Sequence, residues 1–214
     1  MKIINIMMPV AFCLGCHGHL KAETLEVEYA SFYSHVKKLN DPETNALRFA
    51  FGFQHISENR LCDINRADIV TQKQTQKLTV ETNNRFTVPT DKILKMAKAK
   101  VVIELDDQAN KCDMSVQLET LPKFLKTQYG RAELIMLFNQ YDAFFDEMGS
   151  FLSFLMPSAQ GLIFHFHHDV ELPNSLQPFI DKSNSLVLSK AWLMENSQLM
   201  LPIKPLRITA IIEK

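Results

Sequence analysis

Three histidines and an aspartate crowd one short stretch of this chain: His165, Phe166, His167, His168 and Asp169. On a β-strand, His165 and His167 fall on the same face. Two imidazoles so placed can ligate a divalent metal, with His168 or Asp169 as a third ligand beyond the strand end. That set suits a metal-binding protein or a metal-dependent hydrolase. Alternation also supplies a plainer meaning. Phe164 and Phe166 take the inner face, and the residues between them form the polar face. The sequence does not complete a ligand set, so the polar face is the first reading and a metal at His165 and His167 is the alternative.

The chain has four cysteines, Cys13, Cys16, Cys62 and Cys112. The first two fall in a segment that reads as a secretory leader, residues 1–22. Lys2 gives it a positive start, an uncharged run of 14 residues from Ile3 to Cys16 follows, and Ala22 offers a small residue for cleavage. The run is short of the roughly 20 residues a membrane span needs. No later segment reaches that length, so no transmembrane segment is expected after cleavage. Gly15 before Cys16 leaves a lipid anchor on Cys16 as a second reading of the leader. Export to the periplasm places Cys62 and Cys112 in an oxidising compartment, where an even count favours a disulfide. Their separation fits no zinc spacing, and the mature chain lacks C-x-x-C.

Other groups that invite chemistry have simpler explanations. Asp106 and Asp107 lack the spacing of a calcium loop and read as a hairpin turn. Asp142, Asp146 and Glu147 border the apolar stripe of a helix and read as its solvated flank. Ser31, Ser34 and His35 suggest a nucleophile and base, but no G-x-S-x-G elbow exists. No Gly-rich phosphate loop is present, and no motif calls for a cofactor. Lys92, Lys95, Lys98 and Lys100 form a small basic cluster, either a solvated face or a contact for acidic lipid headgroups or glycan.

The elements that must position these residues show internal similarity. Tyr29, Phe32, Tyr33 and Val36 align with Tyr141, Phe144, Phe145 and Met148, at helical spacing. Leu47, Phe49 and Phe51 align with Leu162, Phe164 and Phe166, at strand spacing. Residues 77–89 align with 190–202, sharing Lys, Asn and Pro, and predict a hairpin turning at Asn83 and at Asn196. Residues 101–104 align with 210–213. Four segments in one order point to a duplicated unit.

Each unit reads as a helix followed by about four antiparallel strands. The first adds a short helix after Pro89, with Thr90 as N-cap, and an extra strand from Cys112 to Glu119. The best-marked element is a helix near residues 131–148, with Leu134, Leu137, Phe138, Tyr141, Phe144, Phe145 and Met148 on one stripe. Residues 151–157, apolar on both faces, read as a buried strand or an exposed lip. The expected fold is α+β, with units 23–120 and 121–214 packed as one pseudo-twofold domain.

Composition agrees. Hydrophobic residues make up 46% and charged residues 22%, which excludes a disordered tail or a disulfide-dense miniature. The net charge is −1, and becomes −3 when Lys2 and Lys21 leave with the leader. A balance near neutrality argues against a nucleic-acid partner.

Leu25, Tyr29, Phe32 and Tyr33, residues 86–89, residues 112–118 and residues 144–157 resemble segments of an uncharacterised family of exported proteins from marine gamma-proteobacteria. The resemblance implies a domain of unknown function and an envelope location, and it carries no catalytic residue across. The functional expectation is a non-catalytic periplasmic binding or accessory protein of the cell envelope. Its partner would be an envelope protein or a small ligand, taken where the two units meet.

Overall fold

The computed structural model describes residues 22–149, 158–167 and 170–213. Strand β1 (Glu23–Glu28) runs directly into helix α1 (Tyr29–Val36). The helix buries Tyr29, Phe32 and Val36, spaced three and four apart along one face. Strand β2 (Leu47–His55) turns Phe49, Phe51 and Phe53 into the same core. The ring of Phe32 meets that of Phe51 edge-on, 4.9 Å between centroids. Strands β3 (Ile64–Val70), β4 (Thr75–Leu78) and β5 (Lys100–Leu105) join β1 in an antiparallel sheet ordered β1-β5-β3-β4. Helix α2 (Lys92–Met96) precedes β5. Strand β6 (Cys112–Thr120) pairs with β2 along its whole length, Leu47 opposite Thr120 and His55 opposite Cys112.

The second half begins with strand β7 (Gln128–Gly130), which runs directly into helix α3 (Arg131–Gly149). Of the stripe read from the sequence, Leu134, Leu137, Phe138, Tyr141 and Phe144 are buried, whereas Phe145 is half-buried and Met148, near the helix end, is 40% exposed. Strand β8 (Ser158–His165) lies between β9 (Leu186–Ser189) and β11 (Arg207–Glu213). Helix α4 (Lys190–Glu195) and strand β10 (Gln198–Met200) complete the half, with β10 paired to β7. Gly161 lets β8 and β9 approach closely. A Cβ there would lie 2.1 Å from the Leu188 carbonyl oxygen.

The halves share one hydrophobic core, and Tyr141 ties them. Its hydroxyl donates to the Ile208 carbonyl at 2.6 Å and lies 3.0 Å from Thr120 Oγ1. One side chain of α3 thus holds β6 and β11 side by side. The architecture is α+β, helices packed on several antiparallel sheets.

Two sequence expectations change. Residues 190–195 form a helix, whereas the aligned Lys77 and Leu78 lie in a strand. Ser189 decides this, because its side chain caps the helix by accepting from Trp192 N. Asn196 ends that helix instead of turning a hairpin, its Nδ2 donating to the Trp192 carbonyl at 2.9 Å. The N-cap of α2 is Asp91 rather than Thr90, its carboxylate accepting from Ile93 N at 2.7 Å. Residues 151–157 and His168 and Asp169 lie outside the described residues.

Candidate functional site

The Cys62–Cys112 disulfide is formed, and it fastens the start of β6 to the segment after β2. Asp107 lies close to both sulfurs, the one grouping of potential metal ligands among the described residues. The two thiols are consumed by their bond, and Asp107 grips Arg60 through both carboxylate oxygens. The Arg60 pair, with a backbone bond from Asp63, holds the Asp107 carboxyl down at about 2. This grouping is a structural clasp.

His165 and His167 part company. His167 is exposed. His165 turns inward, its Nδ1 3.1 Å from Ser185 Oγ and its Nε2 2.9 Å from Thr209 Oγ1. Both ring nitrogens are thereby engaged. Burial, then the positive charge of Arg207, pushes the imidazole down to about 4, so it is neutral near pH 7. Ser34 and His35 bond locally to the Ser31 carbonyl on the exposed side of α1. Asp142, Asp146 and Glu147 border an open groove of about 890 Å³ along α3, the solvated flank expected for them.

The charged chemistry gathers elsewhere, along the seam where β6 and β11 run side by side. On β2, Arg48, Ala50 and Gly52 share the face opposite the phenylalanines. The small residues leave room for Arg85, which is 6% exposed. A Cβ on Gly52 would lie 3.5 Å from Arg85 Cγ and 2.8 Å from the Asn84 carbonyl oxygen. Arg48 sits opposite Glu119 in register and bonds it through Nε at 2.9 Å and Nη2 at 2.5 Å. Glu119 is 0% exposed, and Arg48 also pairs with Glu81 at 2.6 Å. Burial pushes the Glu119 carboxyl up, against the pull of Arg48. From β11, Arg207 stands opposite His165, and Thr209 lies two residues on along the same face.

Arg48 and Arg207 escaped the sequence reading because an isolated Arg in an alternating strand looks like a solvent position, and Arg85 because it follows a turn. The usable signal was Ala50 and Gly52, two small residues backing a run of phenylalanines. Small residues in such a strand mark a close approach by other chain.

A second feature is on the surface. Ile93 and Met96 are 74% and 73% exposed and lie three residues apart on one face of α2. Lys92, Lys95 and Lys98 are exposed on the same segment, Lys95 reaching over the Tyr33 ring, and Lys73 shares a hollow with Ile93. Lys100 is engaged by Glu26 at 2.5 Å. The basic cluster read from the sequence therefore accompanies an apolar pair that the sequence reading did not single out.

Residues 21–166 match the model of the family described as Protein of unknown function (DUF2987). The chain belongs to that family. The match takes in β1 through β8, hence Arg48, Arg85, Glu119 and His165 of the seam and all of α2, whereas Arg207 and Thr209 lie beyond it. No curated protein and no solved structure matches the chain. Among the described residues no helix is long and apolar enough to cross a membrane.

Proposed function

We propose that this protein is a non-catalytic accessory module of the cell envelope, exported to the periplasm and working against a membrane surface. The observation that carries the reading is the pair Ile93 and Met96, exposed on a segment that also carries the exposed Lys92, Lys95 and Lys98, with Lys73 beside Ile93. Apolar side chains beside basic ones are the composition of interfacial segments that bind anionic lipid. Burying each apolar side chain gains roughly 2 kcal/mol. Each lysine adds about 1 kcal/mol near an anionic surface. The sum suits reversible attachment.

The leader at residues 1–22 and the Cys62–Cys112 bridge support export. Two related units, 23–120 and 121–214, packed as one pseudo-twofold domain, account for a further set of parallels. A strand enters a helix directly at Tyr29 and at Arg131. The first helical N–H donates across to Ala99 in one case and Ser197 in the other, both at 2.9 Å.

Flotation with lipid vesicles tests the reading. The disulfide-bonded protein is expected to float with phosphatidylglycerol-rich vesicles, to stay behind with pure phosphatidylcholine, and to be released by high salt. The variant I93S/M96S is expected to lose flotation while keeping its thermal midpoint. Equal flotation of wild type and variant, or none with either vesicle, overturns the proposal.

A further inference from the structure

We propose that the seam between β6 and β11 is a binding site for a small oxyanion, held by Arg85 and Arg207. This inference is independent of the membrane surface, which lies on α2.

Charge accounting motivates it. Three guanidiniums (Arg48, Arg85 and Arg207) and two carboxylates (Glu81 and Glu119) meet here, beside a neutral His165 that also feels the Asp181 carboxylate. Both carboxylates are spent on Arg48. Among the described residues, no carboxylate forms an ion pair with Arg85 or Arg207. Arg85 makes one long hydrogen bond, Nη1 to the Ala50 carbonyl at 3.4 Å. The Nε atoms of Arg85 and Arg207 are both buried without a partner. A buried guanidinium lacking a contacting counter-charge is costly, and the charge of Arg207 adds to the cost at Arg85. Arg85 and Arg207 therefore lack a contacting carboxylate, and an anion supplies that contact.

The donors specify the anion's class. A guanidinium is a planar fork, and its Nε edge gives two parallel N–H bonds to two oxygens of one group. Two such forks with unpartnered Nε positions suit a phosphate, a sulfate or the phosphoryl end of a larger molecule. Chloride uses a fork poorly, having no pair of oxygens. Arg207 is half-buried, so the site has a solvent-facing side. Glu119 supplies internal competition. Its Oε2 lacks a partner, and its charge is near enough to act on both arginines. Removing that charge should strengthen binding.

Titration calorimetry at constant ionic strength tests this, with inorganic phosphate, sulfate, glycerol 3-phosphate and chloride as probes. Saturable binding of about one phosphate or sulfate per chain is expected. R207Q, whose side chain is the less buried, should fold and bind at least about tenfold more weakly, a loss of about 1.4 kcal/mol. E119Q should bind more tightly than wild type. Glycerol 3-phosphate binding as well as phosphate identifies a phosphoryl group on a larger molecule as the fitting ligand. Its exclusion identifies the free ion, and either outcome supports an oxyanion site. The proposal is overturned if no oxyanion saturates the protein, if chloride matches phosphate, or if folded R207Q binds phosphate as wild type does. R85Q serves as a second variant, read only where its circular dichroism matches the parent.

Discussion

Asn84 and Asn184 occupy the same position of the same turn. Each has φ of +58°, and each donates its backbone N–H three residues back, to Glu81 and to Asp181. The loops close alike, Glu81 N to the Arg85 carbonyl at 2.7 Å and Asp181 N to the Ser185 carbonyl at 2.9 Å. Bridges at Val80 with Phe86 and at Ile180 with Leu186 flank them. The left-handed conformation costs most residues roughly 1 kcal/mol or more and costs Asn less.

Asn84→Ala should therefore be destabilising by about 2 kcal/mol. About half comes from the backbone and half from lost side-chain hydrogen bonds. Those bonds run from Nδ2 to Asp63 Oδ1 at 2.7 Å and from Ile64 N to Oδ1 at 3.2 Å. Asn84→Gly relieves the backbone alone and should cost about 1 kcal/mol. Urea midpoints in that order check the argument. Equal losses in the two variants would show that the φ angle is unimportant.

The parallel turns explain what was legible in the sequence. Helix α3 and strand β2 stood out because their large apolar residues recur at one period, whereas β6 exposes Met114 and buries Glu119 and Thr120 against its apolar alternation. The match of residues 77–89 to 190–202 paired a strand with a helix, because apolar periodicity in short segments does not separate the two. Ser189 ahead of Lys190, Ala191 and Trp192 was the available helix signal. The turns themselves lie 100 residues apart rather than 113, and only Asn at φ > 0 marks them. Of the candidate site, the disulfide was readable from cysteine count and compartment. The arginine seam was not, since burial of Arg85 depends on strands distant in sequence.

The Cys62–Cys112 bridge closes a loop with a sequence separation of 50. Restricting the unfolded chain over that length is worth roughly 4 kcal/mol. Reduction, or the double variant C62A/C112A, should lower unfolding stability by up to that amount and shift the urea midpoint accordingly. Thiol labelling of the denatured, unreduced protein should find neither cysteine reactive. Two labelled thiols at these positions would remove the bridge from the account.

His165 makes stability depend on pH in a definite window. Its unfolded value is about 6.5, and its folded value is held down at about 4. Between those limits the unfolded chain binds the proton and the folded chain does not, so stability falls as pH drops from 6.5 towards 4. Above that window the group contributes no slope. The full loss is roughly 3 kcal/mol. Burial is the main cause. Arg207 and Arg85 repel an imidazolium, while Asp181 attracts one more weakly than Arg207 repels it. Ser185 and Thr209 are uncharged partners. Glu119, whose carboxyl is pushed up, titrates with the opposite sign, so the histidine is best isolated by difference. His165→Gln cannot titrate and keeps a side chain able to bond a hydroxyl. The stability gap between wild type and this variant should be constant above pH 7 and should shift against wild type by about 3 kcal/mol on acidification to pH 4. Urea unfolding at several pH values measures it. A constant gap across the range would mean that His165 titrates normally and is not sealed between Ser185 and Thr209.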